Sequence, residues 1–593
     1  MGDLDMGLAF PFPVQSEEDR LVGDEVIQRF ESWAQGNLDG DSIDKAQEIP
    51  PHVWKGLADL GLFGIKIDKK YGGLGLSQTN YVRILGAVAK YCGSTAATLS
   101  AHQSIGVPQP LKLFGTEEQK WRWLPRIAKG ELSAFALTEP GAGSDPASMV
   151  TEAVKQPDGS WVINGEKLWC TNGTFADLYV VMARTTGEDG RKGITAFVVE
   201  GRSEGLEVVH RCRFLGIRAI ENGLIRFRNV KVPAENVILG EGKGLKLALT
   251  TLNDGRLGIP AVAAFVSKDV SSFSASWAKS RVQWGKAVGN HEAGAQKLAE
   301  IAGNTYAMET LALFGAALSD RHNVDIRMEA ATAKMWNSER SWEVADTAFQ
   351  LRGGRGFETE RSVEGRGEAG FPMERVLRDT RINRIVEGTT DIMHLFIARE
   401  ALDGHLRNAG GLFKKGATLW DKLKTVGKCA LIYPTWYLKM LVGGKWFSKD
   451  FDNQIAYQLD WIEGNVRKLA RTLFHQMILR GPKLEMRQLI LARLVDIGAE
   501  LAVMALVASR LQTEKNQNEP NYERNMVIMK HFFKMRQAHV DRLFADVHDN
   551  ADVEAVDAAG VILKDAVSLP NNDSSNSTAI SRKFCSDYTK SSR

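Results

Sequence analysis

Apolar positions recur at helical spacing from about Ser16 to Leu132. Leu21, Val22, Val26, Ile27, Phe30 and Trp33 mark one stripe, with Ser16 placed to cap its helix. A second helix carries Trp54, Leu57, Leu60 and Leu62 and is expected to break at the glycine-rich stretch from Tyr71 to Leu76. From about Phe135 the texture changes to short β-branched and aromatic runs separated by turn residues, as in the runs from Leu178, Ile194 and Leu224. The Trp161 run lies between a Pro157-Asp158-Gly159 turn and Asn164-Gly165, a dipeptide that predicts a hairpin turn. After Gly240 the helical period returns and holds to about Leu402.

This pattern predicts an α+β chain, mainly α. A helical domain (1–133) precedes a middle β domain (134–240) and a helical bundle (241–402). Residues 403–411, rich in Gly and Asn, read as a linker. A further helical domain (412–569) includes the long apolar-periodic segment Leu489 to Leu511, and the Ser- and Asn-rich residues 570–593 read as a disordered tail. No internal repeat is evident.

Composition narrows the class. A chain of 593 residues, 44% hydrophobic and 25% charged, can bury several cores. Its net charge of +3 makes no case for nucleic acid. Cys92, Cys170, Cys212, Cys429 and Cys585 are scattered and odd in number, which argues against a disulfide framework or a metal site and suits a reducing compartment. The acidic start and the lack of an apolar run long enough to span a bilayer predict a cytoplasmic protein. One segment stands apart: Leu412 to Lys449 holds eight Lys and one Asp. Leu412, Leu419, Trp420, Leu423, Val426 and Ala430 share a helical face, with Lys414, Lys415, Lys422 and Lys428 largely opposite and Trp436, Tyr437, Trp446 and Phe447 beyond. A basic face beside an aromatic, apolar one suits the surface of an anionic membrane, here the inner face of the cytoplasmic membrane. The same helix could also dock on its own domain with its lysines solvated.

Candidate chemistry begins at Glu387. Ile385 and Val386 deliver this single carboxylate into Gly388 and Thr389, where it can be desolvated and become a stronger base towards a carbon acid. Asp391 follows. Ahead of it lie Phe135-Ala136-Leu137-Thr138, leading into a glycine turn and Ser144-Asp145, and Trp169-Cys170-Thr171-Asn172, an indole and a hydroxyl able to cover and edge a planar ring. Further segments are Asn253-Asp254-Gly255-Arg256; Arg281-Val282-Gln283-Trp284-Gly285, whose guanidinium suits a pyrophosphate; and Gln350 with Gly353, Gly354 and Gly356. Leu239 to Gly244 lacks phosphate-loop spacing and reads as a turn, and His102 has no partners at metal-ligand spacing.

In this order the segments resemble those of the acyl-CoA dehydrogenases, over roughly residues 20–402. The resemblance implies the family's three-domain fold, with 412–569 as an extra C-terminal helical domain like that of the very-long-chain branch. It implies FAD as cofactor, with Phe135, Leu137, Thr138, Trp169, Thr171, Thr389 and Asp391 as flavin contacts. Arg281, Gln283, Trp284, Gln350, Gly353 and Gly354 would hold FAD across a homodimer. Ser144, Asn253, Arg256 and Gly388 would meet the acyl-CoA. Glu387 would take the α-proton while the β-hydrogen leaves as hydride to the flavin, the enolate oxygen being met by the Glu387 amide and a flavin hydroxyl. Electrons would pass to an electron-transfer flavoprotein.

Ala97 and Ala101 share a helix face where medium-chain relatives carry bulkier side chains, so the resemblance implies a deeper cavity and long-chain acyl-CoA. Ala101 to Gly106 likewise looks like the very-long-chain branch; simple helix packing would also account for the two alanines. The stretch Arg361 to Pro372 is longer than in most relatives. An acyl-CoA oxidase and a non-catalytic respiratory-complex assembly factor remain as competing readings.

Overall fold

The computed structural model describes residues 2, 4–187, 190–321, 324–409, 418–442 and 451–566. The first helix, Glu17–Asn37, is capped as expected: Ser16 Oγ accepts from the Asp19 amide at 3.3 Å. Its buried side is Val26, Phe30 and Ala34, whereas Leu21 and Val22 face outward. The helix expected around Trp54, Pro51–Asp59, follows a short helix Gly40–Ala46 and stops well before Tyr71, because Gly61 takes a left-handed φ of 76° and turns the chain into the short helical turn Leu62–Gly64. Helices Gln78–Tyr91 and Gly93–Ser104 complete a core that includes Tyr81, Leu85, Val88 and Leu99.

The middle region is an eight-stranded sheet. Its strands are β1 (Ser133–Ala136), β2 (Glu152–Lys155), β3 (Trp161–Thr171), β4 (Leu178–Thr186), β5 (Lys192–Glu200), β6 (Leu206–Arg211), β7 (Asn222–Val232) and β8 (Val237–Ile238). They are ordered β6-β7-β3-β2-β4-β5-β8, with β1 lying parallel to β4. Alternate residues of β4 feed two cores: Leu178, Val180 and Met182 pack with Trp123 and Ile127, and Tyr179, Val181 and Ala183 pack with Trp161 and Phe227. Burial on both faces explains the unbroken apolar runs in β4 and β5.

The predicted hairpin at Asn164-Gly165 does not form. Strand β3 passes straight through it, and the turn falls at 156–160, where the Gln156 amide donates to the Ser160 carbonyl at 2.7 Å. Asn164-Gly165 instead marks an irregularity in the register with β7, with Gly165 at φ 146°. A Cβ on Gly165 would lie 2.4 Å from Thr151 Oγ1, so the glycine serves a close approach. Leu239 to Gly244 is the expected turn, and leads into helix Gly244–Gly255.

The helical body continues with Gly258–Ser280, Glu292–Asp320, Arg327–Arg352 and Met373–Thr380. The long stretch after Glu360 folds back on its own chain: Arg361 pairs with Asp39 at 2.8 Å, and Phe371 stacks on Phe273 with ring centres 4.3 Å apart. The expected linker at 403–411 is not one over its described part. Helix Thr390–Ala409 runs through it, because His405 is buried against Tyr433 and Arg407 pairs with Asp403 one turn earlier at 2.5 Å.

The helices Leu419–Leu441, Asn453–Arg480, Gln488–Asn516 and Tyr522–Asp546 follow. Chain contacts place Met1–Phe544 in one compact unit. Within it, Arg510 pairs with Glu309 at 3.0 Å and Arg536 with Glu500 at 3.3 Å. The N-terminal segment also joins these helices: the Phe12 amide donates to Thr513 Oγ1 at 2.9 Å, and Phe10 packs on Phe451. A second unit begins at Ala545 and carries helix Asp552–Asp565. The expected tail at 570–593 lies outside the described residues, as do Leu412, Lys414, Lys415, Trp446 and Phe447.

Candidate active site

Strand β1 carries Phe135 and ends in the loop that carries Leu137, Thr138 and Ser144. A fully buried ion pair ties this loop to β3: Lys167 Nζ stands 2.7 Å from Glu139 Oε1 and donates to the Leu137 carbonyl at 3.1 Å. Glu139 also accepts from the amides of Val150 (2.6 Å) and Thr151 (3.0 Å). Burial alone would raise the Glu139 carboxyl, but Lys167 and these donors outweigh it and hold the group below its usual range. Beyond the pair, Gly141 and Gly143 have open space where a Cβ would stand, and Ser144 is exposed.

Trp169 lies where the β3–β7 register shifts, and takes a left-handed φ of 53°. This irregularity turns the indole outward, 57% exposed, while its neighbour Cys170 stays buried. Asn222 Nδ2 donates to both the Trp169 carbonyl (3.2 Å) and Thr171 Oγ1 (3.0 Å), which leaves the Thr171 hydroxyl hydrogen to donate. An outward ring, a hydroxyl donor two residues on and an open glycine loop fit a flat, anionic cofactor such as FAD.

Glu387 is the centre of a second cluster. Its φ is 54°, followed by Gly388 at 96°, so two successive residues are left-handed. The carboxylate oxygen Oε2 is enclosed and has no hydrogen-bond partner. Burial pushes the carboxyl up to about 7, while the charges of Arg256 and Lys334 hold it from rising further. Arg256 is buried, donates to Asn253 Oδ1 at 3.0 Å and lies over the Phe396 ring. Asn253 and Arg256 therefore form a pair on the Glu387 side of the helix end. Thr389 Oγ1 accepts from the Ile392 amide at 3.3 Å, and Asp391 is exposed in the first turn of the next helix.

Lys334 and Tyr81 are neighbours of Glu387 that were not legible in the sequence. Lys334 is fully buried and donates to the Gly388 carbonyl at 2.6 Å. Tyr81 is buried with its hydroxyl 2.6 Å from Ser104 Oγ; burial raises it to about 12, and the charge of Glu387 adds to the rise. Gly255 lies against the carboxylate itself. Lys334 and Tyr81 come from distant helices and no local pattern marks them, whereas Gly255 belongs to the segment Asn253 to Arg256. His102 is structural, as expected: Nδ1 accepts from the Ser133 amide at 3.0 Å, Nε2 faces the Phe63 carbonyl at 3.1 Å, and burial lowers the ring to about 4.

Ala97 and Ala101 lie half-buried on helix Gly93–Ser104. Arg281, Gln283 and Trp284 lie at and on the hairpin Val282–Gln283/Lys286–Ala287, with Trp284 90% exposed. Gln350 is exposed near the end of helix Arg327–Arg352, and Gly353 and Gly354 beyond it have open space around them.

A helical layer, a two-faced sheet and a helical bundle in which the desolvated Glu387 carboxylate lies beside Gly255 and Arg256 define a flavoprotein dehydrogenase of carbon acids. The chain belongs to the acyl-CoA dehydrogenase family: the family's N-terminal domain matches residues 21–131, its middle domain 134–230 and its C-terminal domain 242–402. It is 43% identical over 568 residues, 95% of this chain and 87% of the relative, to the probable acyl-CoA dehydrogenase FadE10 of Mycobacterium tuberculosis. It is 32% identical to the human very long-chain specific acyl-CoA dehydrogenase, covering 89% of this chain and 80% of that one. An acyl-CoA dehydrogenase from Bacillus anthracis, solved in complex with FAD, superposes with a TM-score of 0.74 at 25% identity, covering 96% of this chain and 95% of that one. Butyryl-CoA dehydrogenase from Megasphaera elsdenii superposes at 0.60 with 31% identity, covering 66% of this chain and 99% of its own. The chain is thus an FAD-dependent oxidoreductase acting on acyl-CoA. Bound FAD supplies the acceptor for the substrate hydride.

Proposed function

We propose that this enzyme dehydrogenates long-chain acyl-CoA to the trans-2-enoyl-CoA as a homodimer and passes its electrons to an electron-transfer flavoprotein. The observation that carries the reading is Oε2 of Glu387, enclosed and without a hydrogen-bond partner, on a carboxyl raised to about 7. Near neutral pH such a group is about half ionised and far more basic than a solvated carboxylate, which suits abstraction of the α-proton of a thioester. The Glu387 amide would donate to the developing enolate oxygen, a contribution of about 3 kcal/mol to the barrier. Phe135, Leu137, Thr138, Trp169, Thr171, Thr389 and Asp391 would hold the flavin, and Ser144, Asn253, Arg256 and Gly388 the acyl-CoA.

Half-buried alanines at Ala97 and Ala101 support a long acyl chain, as do relatives named very long-chain specific. The outward Trp284 and the open Gly353 and Gly354 support a cofactor shared with a second copy. Among the described residues no helix is long and apolar enough to cross a membrane. Helix Leu419–Leu441 nevertheless exposes Leu419, Trp420, Leu423 and Val426, with Lys422, Lys424 and Lys428 between them. We read this as the peripheral membrane surface, with the protein in the cytoplasm. Trp436 and Tyr437, by contrast, turn inward onto Phe474.

Anaerobic titration of the flavin-loaded protein tests the reading. Bleaching by palmitoyl-CoA at lower concentration than by butyryl-CoA is expected. Bleaching by the short thioester alone refutes the chain length, and bleaching by neither refutes the activity.

A further inference from the structure

Helix Arg327–Arg352 grips the catalytic turn at two points. Lys334 Nζ donates to the Gly388 carbonyl at 2.6 Å, and Glu339 accepts from Thr390 Oγ1 at 2.5 Å and pairs with Arg384 Nε at 2.8 Å. The helix is itself fixed in the core. Asn337 donates to the carbonyls of Pro260 and Met308 at 3.0 Å each, and the Ser338 hydroxyl bonds the Lys334 carbonyl at 2.6 Å. The stem of Lys334 has no solvent on any side.

A buried ammonium is costly without an anion nearby, and a lysine needed only for packing would be better replaced by methionine. The turn also needs a donor. Glu387 is left-handed, which costs a residue with a Cβ about 1 kcal/mol, and the carbonyl that follows Gly388 points into the protein.

We propose that Lys334 is a positioning residue for Glu387: its ammonium, fixed on the Gly388 carbonyl, holds the left-handed turn in place and supplies a positive charge facing the Glu387 carboxylate. The charged and titratable groups around this pair are Arg256, Glu339 and Tyr81. Burial brings Lys334 down to about 8, with Glu387 pulling it back up. Arg256 and then Lys334 oppose the rise that burial imposes on Glu387. Removing the ammonium therefore leaves Glu387 protonated to higher pH, and the base is lost from neutral solution. Arg256 alone does not hold the turn, because its hydrogen bond goes to Asn253.

The role rests on the proposed dehydrogenation for its kinetic readout only. Single-turnover reduction of the bound flavin by palmitoyl-CoA and by butyryl-CoA is followed against pH in the wild type, Lys334→Gln, Lys334→Met and Lys334→Arg, with FAD content measured in each. The Gln and Met variants are expected to keep FAD and to move the pH midpoint upward by about one unit, a loss near tenfold on the acid side that is recovered in alkali. Lys334→Arg is expected to keep the wild-type midpoint. An unmoved midpoint in Lys334→Gln, a loss equal at every pH, or the same shift in Lys334→Arg overturns the proposal. If Lys334→Met does not fold, Lys334→Gln, which retains an amide donor for the Gly388 carbonyl, carries the test. If the wild type reduces with no acyl-CoA, the proposed function fails. Infrared titration of the Glu387 carboxyl, isolated by subtracting Glu387→Gln, then decides on Lys334 by the same shift or its absence.

Discussion

The carboxylate of Glu387 lies directly against Gly255: a Cβ built on that glycine would stand 3.3 Å from Oε2 and 2.6 Å from Ile105 Cγ2. The last residue of one helix thus sets the room available to a base more than a hundred residues further on. A methyl group here must displace either Ile105 or the carboxylate. Gly255→Ala is expected to retain FAD but slow flavin reduction, by less than the roughly 100-fold typical of a misplacement of about 1 Å, since the carboxylate need give by only a few tenths of an ångström. Stopped-flow reduction under anaerobic conditions checks it; a wild-type rate would mean that Ile105 takes up the whole displacement.

Glu387→Gln keeps the shape of the side chain and removes the base. The rate of flavin reduction should fall by about 10³-fold or more, with the flavin still bound. In the wild type, reduction should rise with pH through about 7, because the working form is the carboxylate and burial places its ionisation there. A profile already flat from pH 5 upward would show that Glu387 is solvated in solution.

Stability should carry a separate pH signature from His102. Its ring is buried neutral, with the folded value lowered to about 4 from an ordinary 6.5. Protons therefore bind the unfolded chain more tightly, so this contribution is full above pH 6.5 and declines as pH falls towards 4. Urea unfolding should show a wild-type loss of about 2 kcal/mol between pH 6.5 and 5 that His102→Phe lacks. The variant should be weaker at pH 7.5, since the Ser133 amide loses its acceptor; the Phe63 carbonyl keeps the Gln103 side-chain amide as a donor. Equal pH slopes in the two proteins would remove His102 from the account.

Acyl length should respond to the helix face of Ala97 and Ala101. Ala97→Leu with Ala101→Leu is expected to lower kcat/KM for palmitoyl-CoA at least tenfold and to leave butyryl-CoA within about twofold, each lost methylene contact being worth about 0.8 kcal/mol. Parallel losses for both thioesters would place the two alanines in ordinary helix packing.

Charge reversal of Lys414, Lys415, Lys422 and Lys424 to Glu should abolish co-sedimentation with anionic liposomes while acyl-CoA oxidation in solution persists. Undiminished sedimentation would show that this segment is not the membrane contact.

Much of this was legible one residue at a time. Ser16 marked a helix start, the β-branched runs marked β4 and β5, and Glu387 stood out between apolar residues and glycine. The failures share a cause, which is tertiary contact overriding a local signal. Asn164-Gly165 has hairpin chemistry, but Thr151 crowds it within a continuous strand. Asp403 to Ala409 looks like a linker, yet His405 packs beneath Tyr433 and keeps it helical. Tyr81 and Lys334 come to Glu387 from two distant helices, and convergence has no one-dimensional signature.

The hydrogen bond from the Phe12 amide to Thr513 spans 501 positions of the chain, and that from the Ser509 hydroxyl to Ala9 spans 500. On a ribosome adding about 5–20 residues per second, the first dozen residues wait about 25–100 s before their partners exist. During that interval Phe12 can already meet Phe314, but Phe10 is an apolar side chain still without Phe451, the ring it packs on.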